Sequence, residues 1–177
     1  QMEYTGKQFN ELFGHIQYYL MVDDTNMTHE GIRVEQSEIF DDFQNIYFYP
    51  DKLLGSKIHY GRQKSLSMKY IYKVTFLESS NITVNKQSGI YRTTSLKVHD
   101  KSHIWDNYDI CKFMMTEWSN VKYMMQFNTT LTTEQKFELT KIAVMQNYNA
   151  LEFVKNVFSK DKYNELLTLA KIKKPSA

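Results

Sequence analysis

Residues 65–77 read SLSMKYIYKVTFL, and this stretch decides the predicted fold. Apolar and polar or mixed positions alternate along it. A β-strand points successive side chains to opposite faces, so the pattern predicts a long strand with one buried face and one mostly solvated face. The side chains expected on the buried face are Leu66, Met68, Tyr70, Tyr72, Val74 and Phe76.

Shorter strand patterns lie on both sides of this stretch. Residues 45–49 (NIYFY) are rich in β-formers and are followed by Pro50, which cannot donate to a ladder, so the strand is expected to stop there. Residues 82–84 and 90–98 flank a turn-like segment with Gly89, which predicts a hairpin. Alternation over residues 121–127 predicts a further strand. Together these strands predict an antiparallel meander.

Helices are predicted at both ends of the chain. Residues 7–20 place Phe9, Leu12, Phe13, Ile16 and Leu20 at three-to-four spacing, which is typical of an amphipathic helix. A second helix is expected to begin at a cap formed by Asp106 or Asn107 and to run to about Trp118.

The C-terminal third is predicted to be helical. Thr132 and Gln135 form a capping-box pattern, and Ser159 can cap the last helix. The sequence therefore predicts a single α+β domain over residues 1–177, with a central antiparallel sheet, an N-terminal helix and a helical C-terminal part. The β-rich segment is expected at 45–127 and the helical segment at 132–174.

Composition limits the classes of function. The 22 basic and 20 acidic residues nearly balance, so overall charge does not indicate nucleic-acid binding. Cys111 is the single cysteine, which excludes an intrachain disulfide. The sequence has no signal-peptide pattern and no apolar run of about 18 residues, so we expect no membrane association and a cytoplasmic location. Richness in Asn, Lys, Tyr and Ile suggests a phage or other viral source, hence the host cytoplasm.

Common motifs of enzymes and metal sites are missing from the sequence. It contains no GxxxxGK[ST], GxGxxG, HExxH or GxSxG pattern. His99 and His103 are four residues apart, but this region is predicted as a strand end and a turn rather than a helix. No metal site is therefore expected.

Trp105 and Trp118 are the two tryptophans, and Trp118 follows Glu117. An aromatic pair beside a carboxylate can hold a purine by stacking and accept hydrogen bonds from its edge. This pattern favours a nucleotide or RNA-cap-binding module of a larger viral protein, in which Trp105 and Trp118 contact the ligand. Core packing explains the same two residues at least as well, because large aromatic side chains bury most of their area in a domain of this size.

An ordered series of short segments resembles the ADP-ribosyltransferases, most nearly the DarT-type toxins that modify DNA bases. His15 in Leu-Phe-Gly-His resembles the first-strand Arg or His of that superfamily, and Gly31-Ile32 resembles its next turn. Residues 45–54 look similar to its aromatic strand and following helix. Residues 110–115 resemble the segment that carries the catalytic Glu. The resemblance extends over about residues 15–144.

The resemblance implies chemistry on NAD. Cleavage of the nicotinamide bond builds positive charge on the ribose carbon, which a carboxylate stabilises. At the position aligned with the catalytic Glu the chain has Cys111 or Lys112, and Glu117 is a nearby acid to which the role is assigned. His15 would hold the cofactor, and Tyr47 or Tyr49 would stack on nicotinamide.

Three hypotheses of function therefore follow from the sequence. The first is an ADP-ribosyltransferase-like domain acting on a nucleic acid or a host protein, with NAD as cofactor. The second is a nucleotide or cap-binding module. The third is a non-enzymatic protein that binds a host or viral protein partner through its surface.

Overall fold

The computed structural model describes residues 1–43, 45–60 and 68–173. The strands are β1 (Met2–Thr5), β2 (Tyr18–Val22), β3 (Glu38–Phe40), β4 (Ile46–Tyr47), β5 (Tyr49–Pro50), β6 (Tyr70–Thr75), β7 (Asn81–Asn85), β8 (Ile90–Thr93) and β9 (Ser95–His103). The α-helices are α1 (Gly6–Phe13), α2 (Leu54–Tyr60), α3 (Tyr108–Met114), α4 (Val121–Phe127), α5 (Thr133–Gln146) and α6 (Lys160–Lys173). Short 3-10 helices lie at Asp51–Leu53, Ile104–Asp106, Trp118–Asn120 and Tyr148–Phe153. The predicted α+β class is confirmed.

The strands form two antiparallel sheets. The four-stranded sheet has the order β1-β7-β8-β4, and the five-stranded sheet has the order β3-β9-β6-β2-β5. The chain passes from one sheet to the other at Phe48, between β4 and β5, and again at Thr94, between β8 and β9. Because the segment predicted as one strand at 90–98 breaks at Thr94, the sheets pack face to face instead of forming one meander.

Two hydrophobic cores lie on opposite sides of the five-stranded sheet. The sandwich core fills the space between the sheets, and the helical core lies between the five-stranded sheet and the C-terminal helices. Buried members of the sandwich core are Phe9, Tyr18, Leu20, Val22, Val34, Ile39, Ile46, Phe48, Val74, Phe76, Ile82, Val84, Leu96 and Val98. The helical core includes Tyr19, Met21, Leu54, Ile71, Trp105, Cys111, Met114, Met124, Leu139 and Leu166.

Strand β2 is buried along its whole length because it contributes to both cores. Tyr18, Leu20 and Val22 belong to the sandwich core, and the alternate residues Tyr19 and Met21 belong to the helical core. A strand that is covered on both faces has a continuous apolar sequence, as YYLMV does. The five-stranded sheet is therefore the middle layer of three.

The prediction for residues 65–77 is confirmed as a strand but corrected in two respects. The observed strand is β6, Tyr70–Thr75, and residues 65–67 lie outside the described residues. Ile71 was expected on the solvated face, yet it is 1% exposed because the helical layer covers that face. Lys73 and Thr75, further along the same face, are exposed.

A β-bulge in β9 changes the direction of its final side chains. Ile71 pairs with Ser102 and Lys73 with His99, so Asp100 and Lys101 together stand opposite a single residue. Asp100 has φ +51°, in the left-handed region that the first residue of a G1-type bulge adopts. As a result, the Lys101 ammonium lies 4.5 Å from the centroid of the Tyr70 ring.

The helix predicted at 7–20 was wrong after Phe13. Thr5 and Gln8 form a capping box that starts α1, and the helix ends at Phe13. The chain then enters β2 at Tyr18, so Leu20 is buried by a strand. The apolar spacing at Ile16 and Leu20 fitted a helix by coincidence, and long-range pairing of β2 with β5 and β6 decides the outcome.

The strand predicted at 121–127 was also wrong. This segment is helix α4, in which Val121, Tyr123 and Met124 are buried. Their burial shows that spacings of two and three coexist there, so alternation alone did not distinguish strand from helix. The β-rich segment therefore ends at His103, and the remaining elements up to Lys173 are helical.

Pro50 was expected to stop the strand before it, but it is part of β5. It pairs with Tyr18 at the edge of the five-stranded sheet. An edge strand tolerates proline because one side of its backbone needs no ladder hydrogen bond.

The predicted helix caps were confirmed. The Asn107 side chain accepts a hydrogen bond from Ile110 N at 3.0 Å at the start of α3. Thr132 and Gln135 form both bonds of a capping box, and Ser159 Oγ accepts from Lys162 N. Within the described residues, no helix is both long enough and apolar enough to cross a membrane.

Asn26 fastens the loop between β2 and β3 to the five-stranded sheet. Its Oδ1 accepts a hydrogen bond of 2.8 Å from the Tyr72 hydroxyl, and its Nδ2 donates to the Val34 carbonyl. Asn26 has φ +65°, a conformation that asparagine adopts more readily than most residues. Val34, which lies in this loop, packs in the sandwich core.

We predict that Asn26→Gly will lower the free energy of unfolding by about 1–3 kcal/mol, because glycine permits the positive φ but leaves the Tyr72 hydroxyl and the Val34 carbonyl without their partner. Urea denaturation measures this change. In a double-mutant cycle, Tyr72→Phe added to Asn26→Gly should cost less than it does in the wild type. The exposed Asn156→Gly serves as control. Additive effects of the two changes would contradict the role of this bond.

Candidate functional site

A cavity opens at one end of the sandwich core. Its volume is about 350 Å³, which lies within the range for small-molecule sites. It is formed where α1 and the chain after it meet the 3-10 helix at 51–53 and the turn between β7 and β8. The lining residues are Phe9, Phe13, Ile16, Tyr18, Pro50, Asp51, Lys52, Leu53, Val84, Lys86, Gly89 and Tyr91.

Aromatic side chains form much of the cavity wall. The Phe9 ring lies 5.0 Å from Phe13 and 5.2 Å from Tyr18, and Tyr18 lies 6.2 Å from Tyr91, between ring centroids. Phe9 and Tyr18 are almost fully buried, whereas Phe13 and Tyr91 are half-buried. The rings of Phe13 and Tyr91 are therefore partly accessible to a ligand. The buried rings of Phe9 and Tyr18 pack against them and hold them in position.

The two tyrosines of the wall remain protonated over a wide pH range. Burial raises the pKa of Tyr18, and the nearby Tyr91 and Asp51 raise it further. Burial also raises the pKa of Tyr91. Neither hydroxyl has a hydrogen-bond partner within the described part of the chain. Each can therefore donate a hydrogen bond to a polar group that enters the cavity.

Lysines surround the opening. Lys52 and Lys86 line the cavity, and the Lys86 ammonium lies 5.7 Å from the Phe13 ring centroid. Lys57, on α2, lies beside the cavity residue Gly89. Among residues 1–43, 45–60 and 68–173, none of these three lysines has a carboxylate at ion-pair distance, whereas Lys69 and Lys97, for example, pair with Asp24 and Glu38.

Gly89 lets the β7–β8 turn approach α2 closely. Its φ is +67°, and a Cβ atom built there would lie 3.4 Å from both Leu53 Cδ1 and Lys57 Nζ. Glycine meets both requirements, since it adopts positive φ freely and has no side chain to cover the ammonium. The hairpin predicted around Gly89 is confirmed, since β7 and β8 pair on either side of this turn.

The residues selected from the sequence are not among those that line this cavity. His15 is exposed in the turn after α1, next to the lining residue Ile16. Tyr47 is half-buried in β4 and pairs with Arg92. Tyr49 packs against the helical core, where burial raises its pKa and the charges of Glu30 and Tyr47 add to the shift.

Glu117, Trp105 and Trp118 lie in the helical layer. Glu117 is half-buried and accepts a hydrogen bond of 3.2 Å from Ser119 Oγ. Trp105 is 2% exposed and has Tyr123 as its aromatic neighbour, whereas Trp118 stacks on Phe153. The two indole rings have different partners, and Trp105 has almost no free surface on which a base could stack.

The histidines considered for a metal have other contacts. His99 Nε2 lies 2.8 Å from Thr75 Oγ1, and His103 Nδ1 lies 3.4 Å from Asp106. In the part of the chain that the structure describes, no group of three or more His, Cys, Asp or Glu side chains is arranged to hold a metal ion.

The cavity was not predicted as a site from the sequence. Tyr18, Tyr91 and Lys57 come from three separate segments and share no local motif. Comparisons of the chain with protein-family models, with curated proteins and with solved structures gave no match. The cavity is therefore interpreted from its own chemistry.

Cys111, which with Lys112 is one of the two residues that the resemblance would place at the catalytic position, is predicted to be unreactive in the native protein. It is fully buried, donates a hydrogen bond to the Ile104 carbonyl, and burial raises its pKa to about 12, so the nucleophilic thiolate is scarce at neutral pH. A thiol reagent should label the native chain far more slowly than the chain in guanidinium chloride. Fast stoichiometric labelling of the native chain would refute the prediction.

Proposed function

We propose that the chain binds a nucleotide or a similar small molecule with a flat ring and a negative charge in the cavity of the sandwich core. The observation that carries the proposal is the combination, at one opening, of half-buried aromatic walls and lysines that have no carboxylate partner among the described residues. Such a combination matches the two parts of a nucleotide, a base and a phosphate.

The aromatic wall supports recognition of a ring. Stacking of a base on an aromatic side chain contributes about 1–3 kcal/mol and tolerates different bases. Phe13 and Tyr91 both line the cavity and are both half-buried, so each leaves part of its ring accessible there. The hydroxyls of Tyr18 and Tyr91, which have no hydrogen-bond partner among the described residues, would donate hydrogen bonds to acceptor atoms on the edge of the ligand ring.

The charge around the opening supports an anion. Asp51 contributes one negative charge to the lining, whereas Lys52 and Lys86 contribute two positive charges and Lys57 adds a third beside Gly89. The backbone amide of Lys52 already donates to Asp51 Oδ1 at 2.7 Å, which holds that carboxylate against its own chain. Since no ion pair of Lys52, Lys57 or Lys86 is formed among the described residues, these lysines are available to an anionic ligand.

We predict that Tyr91→Leu weakens the binding of adenosine monophosphate (AMP) by about tenfold, because it removes one stacking surface and one hydroxyl. Titration calorimetry with AMP and with NAD measures the change. Tyr47→Leu is the matched control, since Tyr47 is a half-buried tyrosine that does not line the cavity.

The opposite order of effects would contradict the proposal. If Tyr47→Leu weakened binding and Tyr91→Leu did not, the ligand would bind at the position selected from the sequence. If the wild type bound neither AMP nor NAD at millimolar concentration, the proposed function would be rejected.

ADP-ribosyl transfer is a second candidate, favoured by the position of His15 next to the cavity residue Ile16. NAD is itself a nucleotide, so the same cavity would hold part of it. The reaction breaks the bond between nicotinamide and ribose, and a carboxylate stabilises the positive charge that develops on the ribose carbon. The resemblance assigns this carboxylate to Glu117, whereas the cavity lining supplies Asp51.

This hypothesis predicts that the chain releases free nicotinamide from labelled NAD. Glu117→Gln should abolish the release if the resemblance assigns the carboxylate correctly, because an amide cannot balance the ribosyl cation. Asp51→Asn should abolish it if NAD binds in the cavity, since Glu117 lies in the helical layer and does not line the cavity. The exposed Glu11→Gln is the control and should retain activity. Loss of activity in Asp51→Asn, with Glu117→Gln active, would move the role to the cavity carboxylate. No release by the wild type, with oligonucleotides and host protein as acceptors, would exclude transfer.

A further inference from the structure

Lys57 differs from the other lysines at the cavity in how it is placed. It projects from α2 toward the turn between β7 and β8, and its ammonium nitrogen lies 3.4 Å from the position that a Cβ of Gly89 would occupy. The residue is half-buried, whereas Lys52 is exposed and Lys86 lies over the Phe13 ring. Lys57 does not itself line the cavity, but it is a partly desolvated cation next to the lining residue Gly89.

We infer that the Lys57 ammonium binds the phosphate of the ligand, so that the cavity selects nucleotides over the corresponding nucleosides. This inference rests on the proposed function. It assigns the two parts of the ligand to two parts of the site, with the ring against Phe13 and Tyr91 and the phosphate beside the β7–β8 turn.

The environment of Lys57 supports this assignment. Desolvation lowers the pKa of Lys57, and within the described residues no carboxylate lies close enough to compensate its charge. An anion beside the ammonium would offset the desolvation and raise the pKa again. Binding of the anion is consequently favoured below the pKa of Lys57 and is lost as the pH rises through it.

The local backbone keeps this cation accessible. Any side chain at position 89 would contact Lys57 Nζ and Leu53, and the positive φ of Gly89 disfavours other residues there. Lys86, in the same turn, adds a second ammonium near the cavity. A phosphate forms a charge-assisted hydrogen bond with an ammonium, whereas a neutral ribose hydroxyl gains little from one.

The experiment compares AMP with adenosine on the full chain. We expect the wild type to bind AMP about tenfold more tightly than adenosine, since a charge-assisted hydrogen bond contributes on that order. Lys57→Met keeps the apolar stem of the side chain and should remove most of the preference for AMP, with adenosine affinity unchanged; Lys86 accounts for any preference that is left. Lys57→Arg should restore most of the preference. The exposed Lys155→Met is the control.

Amine labelling of the wild type gives a second readout that does not depend on a variant. Lysine reacts as the free amine, so a lowered pKa should make Lys57 react with acetic anhydride faster than Lys155 does. AMP should protect Lys57, and adenosine should not. High salt should weaken AMP binding and leave adenosine binding unchanged.

The possible results separate the two ideas. If neither compound binds, both the proposed function and this inference are rejected. If AMP and adenosine bind equally well, or if Lys57→Met keeps the preference and AMP leaves Lys57 reactive, the nucleotide site stands and the role of Lys57 is rejected. Equal protection of Lys57 by inorganic phosphate and AMP would support the phosphate contact.

Discussion

The burial of β2 on both faces is the constraint on which the rest of the structure depends. Its odd and even residues enter different cores, so the five-stranded sheet must be covered by a second sheet on one side and by helices on the other. Exposing either face would return several large apolar side chains to water, and each would lower the free energy of unfolding by about 1.5–3 kcal/mol. The cavity exists because α1 and the β7–β8 turn cover the sandwich core incompletely at one end.

Local signals predicted the local features well. Thr132, Asn107 and Ser159 cap helices as expected, because a capping side chain bonds to amides two or three residues away and needs no distant partner. The strand at Tyr70–Thr75 also followed from its alternation. The arrangement of the two sheets and the helices in three layers could not be predicted from local patterns. The alternation around Ile71 predicted that one face of the strand is buried. The other face is buried at Ile71 as well, because helices from distant parts of the sequence pack on it.

The candidate site was less predictable than the fold for a physical reason. Its properties arise from tertiary neighbours: Tyr18 is an ordinary strand residue until Phe9 and Tyr91 pack beside it, and Lys57 is an ordinary helical lysine until Gly89 brings the turn against it. Trp105 and Trp118 were predicted to contact a ligand because they are the two tryptophans of the chain. Trp105 is instead among the most deeply buried side chains, which fits the general preference of large apolar rings for a core.

The hydrogen bonds of the Asn26 side chain limit where the folded chain could be glycosylated. Asn26, Asn81 and Asn128 each begin an Asn-x-Ser/Thr triplet, the acceptor sequence for N-linked sugars. The amide nitrogens of Asn26 and Asn128 donate to the carbonyls of Val34 and Met124, so a sugar on either would occupy space that the folded backbone already fills. Asn81 is exposed in its strand. A folded chain that met the glycosylation machinery would therefore present Asn81 as its accessible acceptor of the three.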